Sequence, residues 1–368
     1  MKHLQKKTDR RILVDAREFT LGRLTGIGRV IEGLIDALAE SPIFDKIILA
    51  VLDPNSIPSK LKNRKEIEVR KVPVSFLKSE KTLSDLSGHG ISLFFSPYPK
   101  LPIFGVHCLT INMVHDVLDL TYPDYKRRFK VFFDSYRLRS ALKKADLTWY
   151  VSSWSFEETK RYAVFTGKNP RVRYNGIDDR FIPNREDNDL RILEKYRIKP
   201  DYILILGNGS PHKNPGVILE IIGQLKRQVI FAGVSTKNQN YWRSRYPGKR
   251  AVWISHVKDE DLPSIIRGAY CLAQPSKMEG YGYPPLEAMG CGVPAIVSNI
   301  PVLTETTGGA ALTAAPDDPK EWTEAFNLLE DSDRYKHHVD IGLEWVRPLI
   351  GQNGWQQHIY DIEELMNT

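Results

Sequence analysis

Cysteine is scarce in this 368-residue chain: Cys108, Cys271 and Cys291 are the whole complement. An odd number without metal-ligand spacing excludes a disulfide-stapled fold and a cysteine metal site, and fits packing residues in a reducing compartment. Long apolar runs are missing too. None reaches the ~18–20 residues a spanning helix needs. The polar start MKHLQKKTDRR leads only into the short run 12–14, so no signal peptide is expected. Internal repeats and low-complexity segments are also absent. With 42% hydrophobic and 26% charged residues the composition is globular, and the length suits two domains at about 100–200 residues each.

Acidic excess is lacking where the chain begins. Residues 1–180 hold 32 Lys+Arg against 21 Asp+Glu, and the remainder 20 against 24, so all of the net +7 lies in the first half. Such a half points to an anionic partner: nucleic acid, a membrane surface or a phosphorylated substrate. The segment 125–144, YKRRFKVFFDSYRLRSALKK, sets Lys126, Arg127, Arg128, Lys130, Arg137 and Arg139 among Phe129, Phe132, Phe133 and Tyr136. A basic aromatic helix can lie on an anionic membrane or receive a lipid-linked acceptor there; it can equally pack an apolar face and leave a solvated basic one. Nothing matches a nucleic-acid reader, so that partner is not expected.

Short apolar runs alternate with amphipathic stretches, the pattern of parallel sheets covered by helices. One series runs through 12–16, 47–52, 92–96, 109–114 and 147–152; a second through 202–207, 228–233, 251–255, 270–274 and 294–298. Ile27, Val30, Ile31, Leu34, Ile35 and Leu38 predict one amphipathic helix, and 355–366 a terminal one. The expected fold class is α/β, two facing Rossmann-like doubly wound domains with a cleft between them. The expected divisions are 1–180, 181–345, and a terminal stretch 346–368 packing back on the first domain. Loops after strands should carry the function.

Five constellations stand at such loops. In PSKMEGYGYPPLEAMGCGVP (275–294), Glu279 and Glu287 flank Gly280, Tyr281 and Gly282. The glycines admit a ligand close to the backbone, a proline opens a helix, and its free N–H groups can hold an anion. By local physics alone this could also be a glycine-rich turn with solvated carboxylates. Lys213 follows the first strand of the second series beside Asn214, which reads as a helix N-cap, so its ammonium could stabilise a departing diphosphate. Gly26 and Gly28 precede the first amphipathic helix, where bare backbone can face a phosphate. A dinucleotide fingerprint fails there, because Ile31 occupies the third glycine position. His115 and Asp116 follow a strand and could form a base with its orienting carboxylate. Asp259 and Asp261 form an Asp-x-Asp pair, better explained as charge at a helix start than as a metal site.

The run EGYGYPPLEAMGCGVPAIVS resembles the family 4 retaining glycosyltransferases of the GT-B fold, whose signature is Glu, seven residues, Glu. The resemblance covers about 20–345, through LTGIGRVIEGL (24–34), MVHDVLDL (113–120), VSSWSFEETKRY (151–162), YNGIDDRFIP (174–183), GSPHKNPGVILEII (209–222) and SHVKDEDLPSIIRGAYCLAQPS (255–276). It implies that Glu279 bonds the donor sugar, that Gly280 to Gly282 meet hydroxyls and phosphate, and that Glu287 takes the ribose. Asn208 and Lys213 would lie at the diphosphate, Val257 near the base, and His115 would position the sugar. Two departures stand out: Asn208 and His212 occupy places where arginines are usual. The expectation is a cytoplasmic, metal-independent, cofactor-free hexosyltransferase, peripheral at the inner membrane face. Its donor would be a nucleotide sugar, GDP-mannose by preference, and its acceptor a glycan or lipid-linked oligosaccharide. The alternatives are a non-catalytic nucleotide- or glycan-binding homologue and a dinucleotide oxidoreductase.

Overall fold

The structure, a computed structural model, describes residues 10–22, 24–121, 128–184 and 188–368; at Arg128 and Phe129 only the backbone is described. The chain divides into two compact units, Met1–Gly176 with Gly351–Thr368, and Ile177–Ile350. The divisions thus fall at 176/177 and 350/351, where the sequence suggested 180/181 and 345/346. Backbone bonding explains the shift at both ends: Ile177 N–H donates to Leu349 O at 2.7 Å, and Ile177 pairs in parallel with Ile350.

The first unit holds seven parallel strands, β1 (Arg11–Asp15), β2 (Lys46–Val51), β3 (Ile67–Lys71), β4 (Leu93–Ser96), β5 (Leu109–Val114), β6 (Leu147–Tyr150) and β7 (Pro170–Val172), in the order β3-β2-β1-β4-β5-β6-β7. Ile12, Leu13 and Val14 are fully buried, as a strand covered on both faces requires. After β1, the helix Gly26–Glu40 buries Val30, Ile31, Leu34, Ile35 and Leu38 at steps of three and four. Gly33 lies on that helix because Trp355 leaves no room for more: a Cβ there would stand 2.7 Å from the indole. Trp355 begins the C-terminal anchor. The helix Gln356–Asn367 is fastened by Asp361, which accepts from Trp149 Nε1 at 2.9 Å and Arg173 Nε at 2.8 Å.

The second unit holds six parallel strands, β8 (Tyr202–Leu206), β9 (Val229–Ala232), β10 (Val252–Ile254), β11 (Ala269–Gln274), β12 (Ala295–Ser298) and β13 (Leu312–Ala314), in the order β10-β9-β8-β11-β12-β13. Three strands were not legible in the sequence: β3, β7 and β13. All are sheet edges with polar or half-exposed residues, so none carries a continuous apolar run. In both sheets the order reverses beside the first strand, between β1 and β4 and between β8 and β11. Parallel sheets bind ligands beyond the strand ends at such points.

The helix Arg128–Lys144 corrects part of the sequence reading. Lys126 and Arg127 lie outside the described residues, as does the side chain of Arg128. Arg137 is not a surface cation. It is buried in line with Leu138, Ala141 and Leu142, because helical periodicity puts i, i+1, i+4 and i+5 on one face. Its Nη2 donates to Glu80 Oε2 at 2.8 Å and Leu101 O at 3.0 Å. Lys130 is exposed but bound by Asp119 at 2.8 Å, and Arg139 is exposed. Phe132 and Tyr136 face solvent at 74% and 67% exposure, so this helix does present aromatics outward. Among the described residues no helix is long and apolar enough to cross a membrane.

Candidate functional site

Two loops of the second unit meet across the reversal between β8 and β11. After β8 the chain passes through the turn Pro211–Lys213 into the helix Pro215–Ile221; after β11 it runs through 275–282 into the helix Tyr283–Gly290. Lys277 N–H donates to His212 O at 2.8 Å, tying one loop to the other. There Lys213 Nζ bonds both carboxylate oxygens of Glu279, at 2.7 and 2.8 Å. Ser276 Oγ and Gln274 Nε2 also donate to Glu279, at 2.7 and 2.6 Å. Burial by itself would raise the Glu279 carboxyl, but the Lys213 charge and these bonds outweigh it and hold it below its ordinary value. The result is a buried ionised carboxylate and a half-buried ammonium at a strand-end crevice.

Sequence reasoning found Lys213 and Glu279 but missed Gln274 and Ser276. A signal was present: two residues apart at a strand end, they point to one side. Gly282 caps the helix Tyr283–Gly290 with φ of 95°, and a Cβ there would come within 2.5 Å of Leu303, so only glycine fits. Tyr281 is buried and packs edge-on to Tyr283 at 5.2 Å, while Gly280 is half-buried. Glu287, on that helix, is 1% exposed, deeper than Glu279. Asn208 is exposed and bonds the Ser210 N–H through Oδ1 at 2.9 Å. Asn214 is not the side-chain cap the sequence suggested. It sits at the cap position in left-handed backbone, φ 52°, and its amide donates to Pro316 O at 2.6 Å instead. Val257 is half-buried between β10 and the turn Asp259–Asp261. Asp261 accepts from Lys195 at 2.5 Å and Tyr196 at 2.7 Å, so its carboxylate serves local structure.

The first unit has its own strand-end cluster. Gly26 is the exposed first residue of its helix, but Gly28 is corrected: it lies inside the first turn, buried, and its N–H donates to Thr25 Oγ1 at 3.1 Å rather than facing a ligand. Thr25 Oγ1 in turn donates to Glu18 Oε1 at 2.7 Å, and Tyr98 Oη to Glu18 Oε2 at 3.3 Å. Glu18 follows β1 and Tyr98 follows β4, so this pair bridges the reversal in the first sheet. The sequence reading did not single it out. His115, just after β5, bonds Pro97 O through Nε2 at 3.1 Å. A carbonyl only accepts, so Nε2 carries the proton and Nδ1 is the acceptor. Burial pushes this imidazole down to about 4, keeping it neutral at physiological pH and a weak base. Asp116 Oδ1 accepts the Leu118 N–H at 3.0 Å, capping the short helix Leu118–Thr121.

Comparison with known proteins adds to this geometry. Residues 189–342 match the family described as glycosyl transferases group 1. Over 219 residues, 56% of this chain, the sequence is 31% identical to an O-antigen chain mannosyltransferase B of Escherichia coli, 58% of which is covered. Over 224 residues, 59% of this chain, it is 28% identical to the O-antigen chain mannosyltransferase RfbU of Salmonella typhimurium, with 60% of that protein covered. The matches thus span about three fifths of these relatives' length. Among solved structures, sucrose-phosphate synthase from Thermosynechococcus elongatus has a TM-score of 0.80 at 17% identity, covering 98% of this chain and 100% of that one, a likeness of fold. Residues 189–342 thus match the glycosyl transferases group 1, on a chain of GT-B fold whose sequence relatives include O-antigen mannosyltransferases.

Proposed function

We propose that the chain is a retaining, metal-independent hexosyltransferase that moves mannose from GDP-mannose to a hydroxyl of a glycan or lipid-linked oligosaccharide in lipopolysaccharide-type polysaccharide synthesis. The observation that carries this reading is the Lys213–Glu279 pair at the β8/β11 reversal. Lys213 supplies a positive charge where a leaving diphosphate gains negative charge, stabilising the transition state more than the ground state. Glu279 supplies an ionised acceptor for sugar hydroxyls. In the proposed step the bond from the anomeric carbon to the phosphate oxygen breaks, and the acceptor oxygen bonds that carbon on the same face. The acceptor's proton leaves on the departing diphosphate, so no protein base is needed, consistent with a His115 that is too weak to serve. Thermal shift of the full chain with GDP, UDP, dTDP and ADP and their sugar conjugates, with and without EDTA, tests this. A selective GDP and GDP-mannose shift that survives EDTA and is lost in Lys213→Ala is expected; no shift with any nucleotide overturns the reading.

We propose further that the enzyme works at the cytoplasmic face of an anionic membrane. The supporting face is not the basic helix alone. Phe76, at the start of the helix Phe76–Ser87, meets Phe133 edge-on at 6.2 Å, and the buried Arg137 guanidinium lies 5.5 and 5.8 Å from the two rings. Around them Val74, Leu77, Phe132 and Tyr136 are all more than half exposed, and Lys78, Arg139 and Lys143 are exposed on the same two helices. Aromatics with flanking cations suit the headgroup boundary of an anionic bilayer. Co-sedimentation with vesicles containing phosphatidylglycerol, absent with neutral vesicles and lost in Phe132→Ser/Tyr136→Ser, is expected. No sedimentation with anionic vesicles would sink this location.

A further inference from the structure

The two oxygens of Glu279 are held unequally. Oε1 accepts from three donors: Lys213 Nζ at 2.7 Å, Ser276 Oγ at 2.7 Å and Gln274 Nε2 at 2.6 Å. Among the described residues Oε2 accepts from Lys213 alone, at 2.8 Å. An ionised carboxylate only accepts, so the hydroxyl and the amide must both be donors, and Gln274 Nε2 also bonds Ser276 Oγ at 2.8 Å. This orientation leaves Gln274 Oε1 buried with no partner among the described residues, a cost that the arrangement accepts.

Lys213 is a different kind of donor. It is half-buried on a flexible stem, and it follows β8 at the reversal in strand order, the kind of place where parallel sheets take ligands. It cannot give the same protons fully to Glu279 and to a diphosphate. A carboxylate this buried that lost its cation would otherwise take up a proton or swing away.

We infer that Gln274 and Ser276 are positioning residues that clamp Oε1, so that when Lys213 turns to a diphosphate, Glu279 stays fixed and ionised with Oε2 open to a sugar hydroxyl. The clamp explains why two polar side chains converge on one oxygen. The inference rests on the proposed function only for the sugar. The exchange itself needs no more than an anion at Lys213.

The test uses the full chain with two probes, inorganic diphosphate and GDP-mannose, and calorimetry in two buffers to count protons taken up on binding. Wild type is expected to bind diphosphate without protonating Glu279. Ser276→Ala and Gln274→Met should take up an additional fraction of a proton at mildly acidic pH and bind GDP-mannose about tenfold more weakly, the effect of one charge-assisted hydrogen bond. Ser276→Thr, which keeps the hydroxyl, should restore the wild-type proton count; a purely structural role would not predict that. Equal proton counts and equal GDP-mannose affinity in Ser276→Ala overturn the clamp and leave the proposed function standing. Diphosphate binding that depends on Lys213 without any GDP-mannose binding does the reverse. Diphosphate binding indifferent to Lys213→Met removes the exchange, and the inference with it.

Discussion

Replacing Lys213 by methionine keeps much of the side-chain stem and removes the charge, so it isolates the electrostatic part of the pair. Opposite charges about 4 Å apart at an effective dielectric near 20 attract by about 4 kcal/mol. Part of this offsets the burial of Glu279, which is 9% exposed, and part is discounted because the Lys213 side chain is 23% exposed. Gln274 and Ser276 still hold the orphaned carboxylate, so the expected loss is about 2 kcal/mol rather than the ~3–5 of a pair broken with no other donor. For a unit of this size that is a fall in Tm of about 4–8 °C. The pH dependence is a second, independent signature. Glu279 titrates below its ordinary 4.5 in the folded protein, so its contribution is present above that value and is lost as pH falls through the folded one. The gap between wild type and Lys213→Met should therefore be full at neutral pH and close below about pH 4.5. Adding Glu279→Gln removes the buried charge and should recover about 1 kcal/mol or more. The assay is urea and thermal unfolding of the three proteins across pH. A loss under about 0.5 kcal/mol, a gap unchanged on acidification, or strictly additive mutations would refute the reasoning.

His358 is fully buried against Trp149 and Trp355, and among the described residues neither ring nitrogen has a hydrogen-bond partner. His358→Leu should raise stability by about 1–2 kcal/mol, seen as a higher urea midpoint. Burial pushes this histidine down to about 3, so wild type loses its contribution as pH falls from the ordinary 6.5 toward that value. The leucine variant should accordingly be less acid-labile, and equal acid sensitivity would contradict this account. Arg137→Gln takes one of two cations from the buried Glu80, which keeps Arg17 on Oε1 at 3.1 Å and the Ile103 N–H on Oε2 at 3.1 Å, and should cost about 1–3 kcal/mol, whereas Arg139→Gln should stay within about 0.5 in the same melt. Gly282→Ala forces an L-residue into left-handed backbone against Leu303, and should cost about 1–3 kcal/mol and weaken GDP-mannose binding in a titration.

Much of this protein is legible along the chain. The central strands announce themselves because burial on both faces demands continuous apolar runs, as at 12–14 and 202–206. The helix Gly26–Glu40 does so through its step of three and four. The tight turn before the helix Tyr283–Gly290 is readable in its glycines, since Gly282 stands in left-handed backbone, whereas local physics alone left Glu279 and Glu287 open to being solvated carboxylates. What the chain could not disclose depends on neighbours remote in sequence. Arg137 reads as a surface cation until its helix is set against Glu80, 57 positions away, and the edge strands β3, β7 and β13 exist only because an inner strand offers them hydrogen bonds. Likewise Gln274 and Ser276 gain meaning only from Glu279, and Lys213 reaches that carboxylate because β8 and β11, far apart in sequence, lie side by side in the sheet. Composition and periodicity are local properties and decide the elements. Strand order is a property of the whole unit, and it alone decides which charges meet at a reversal in the sheet.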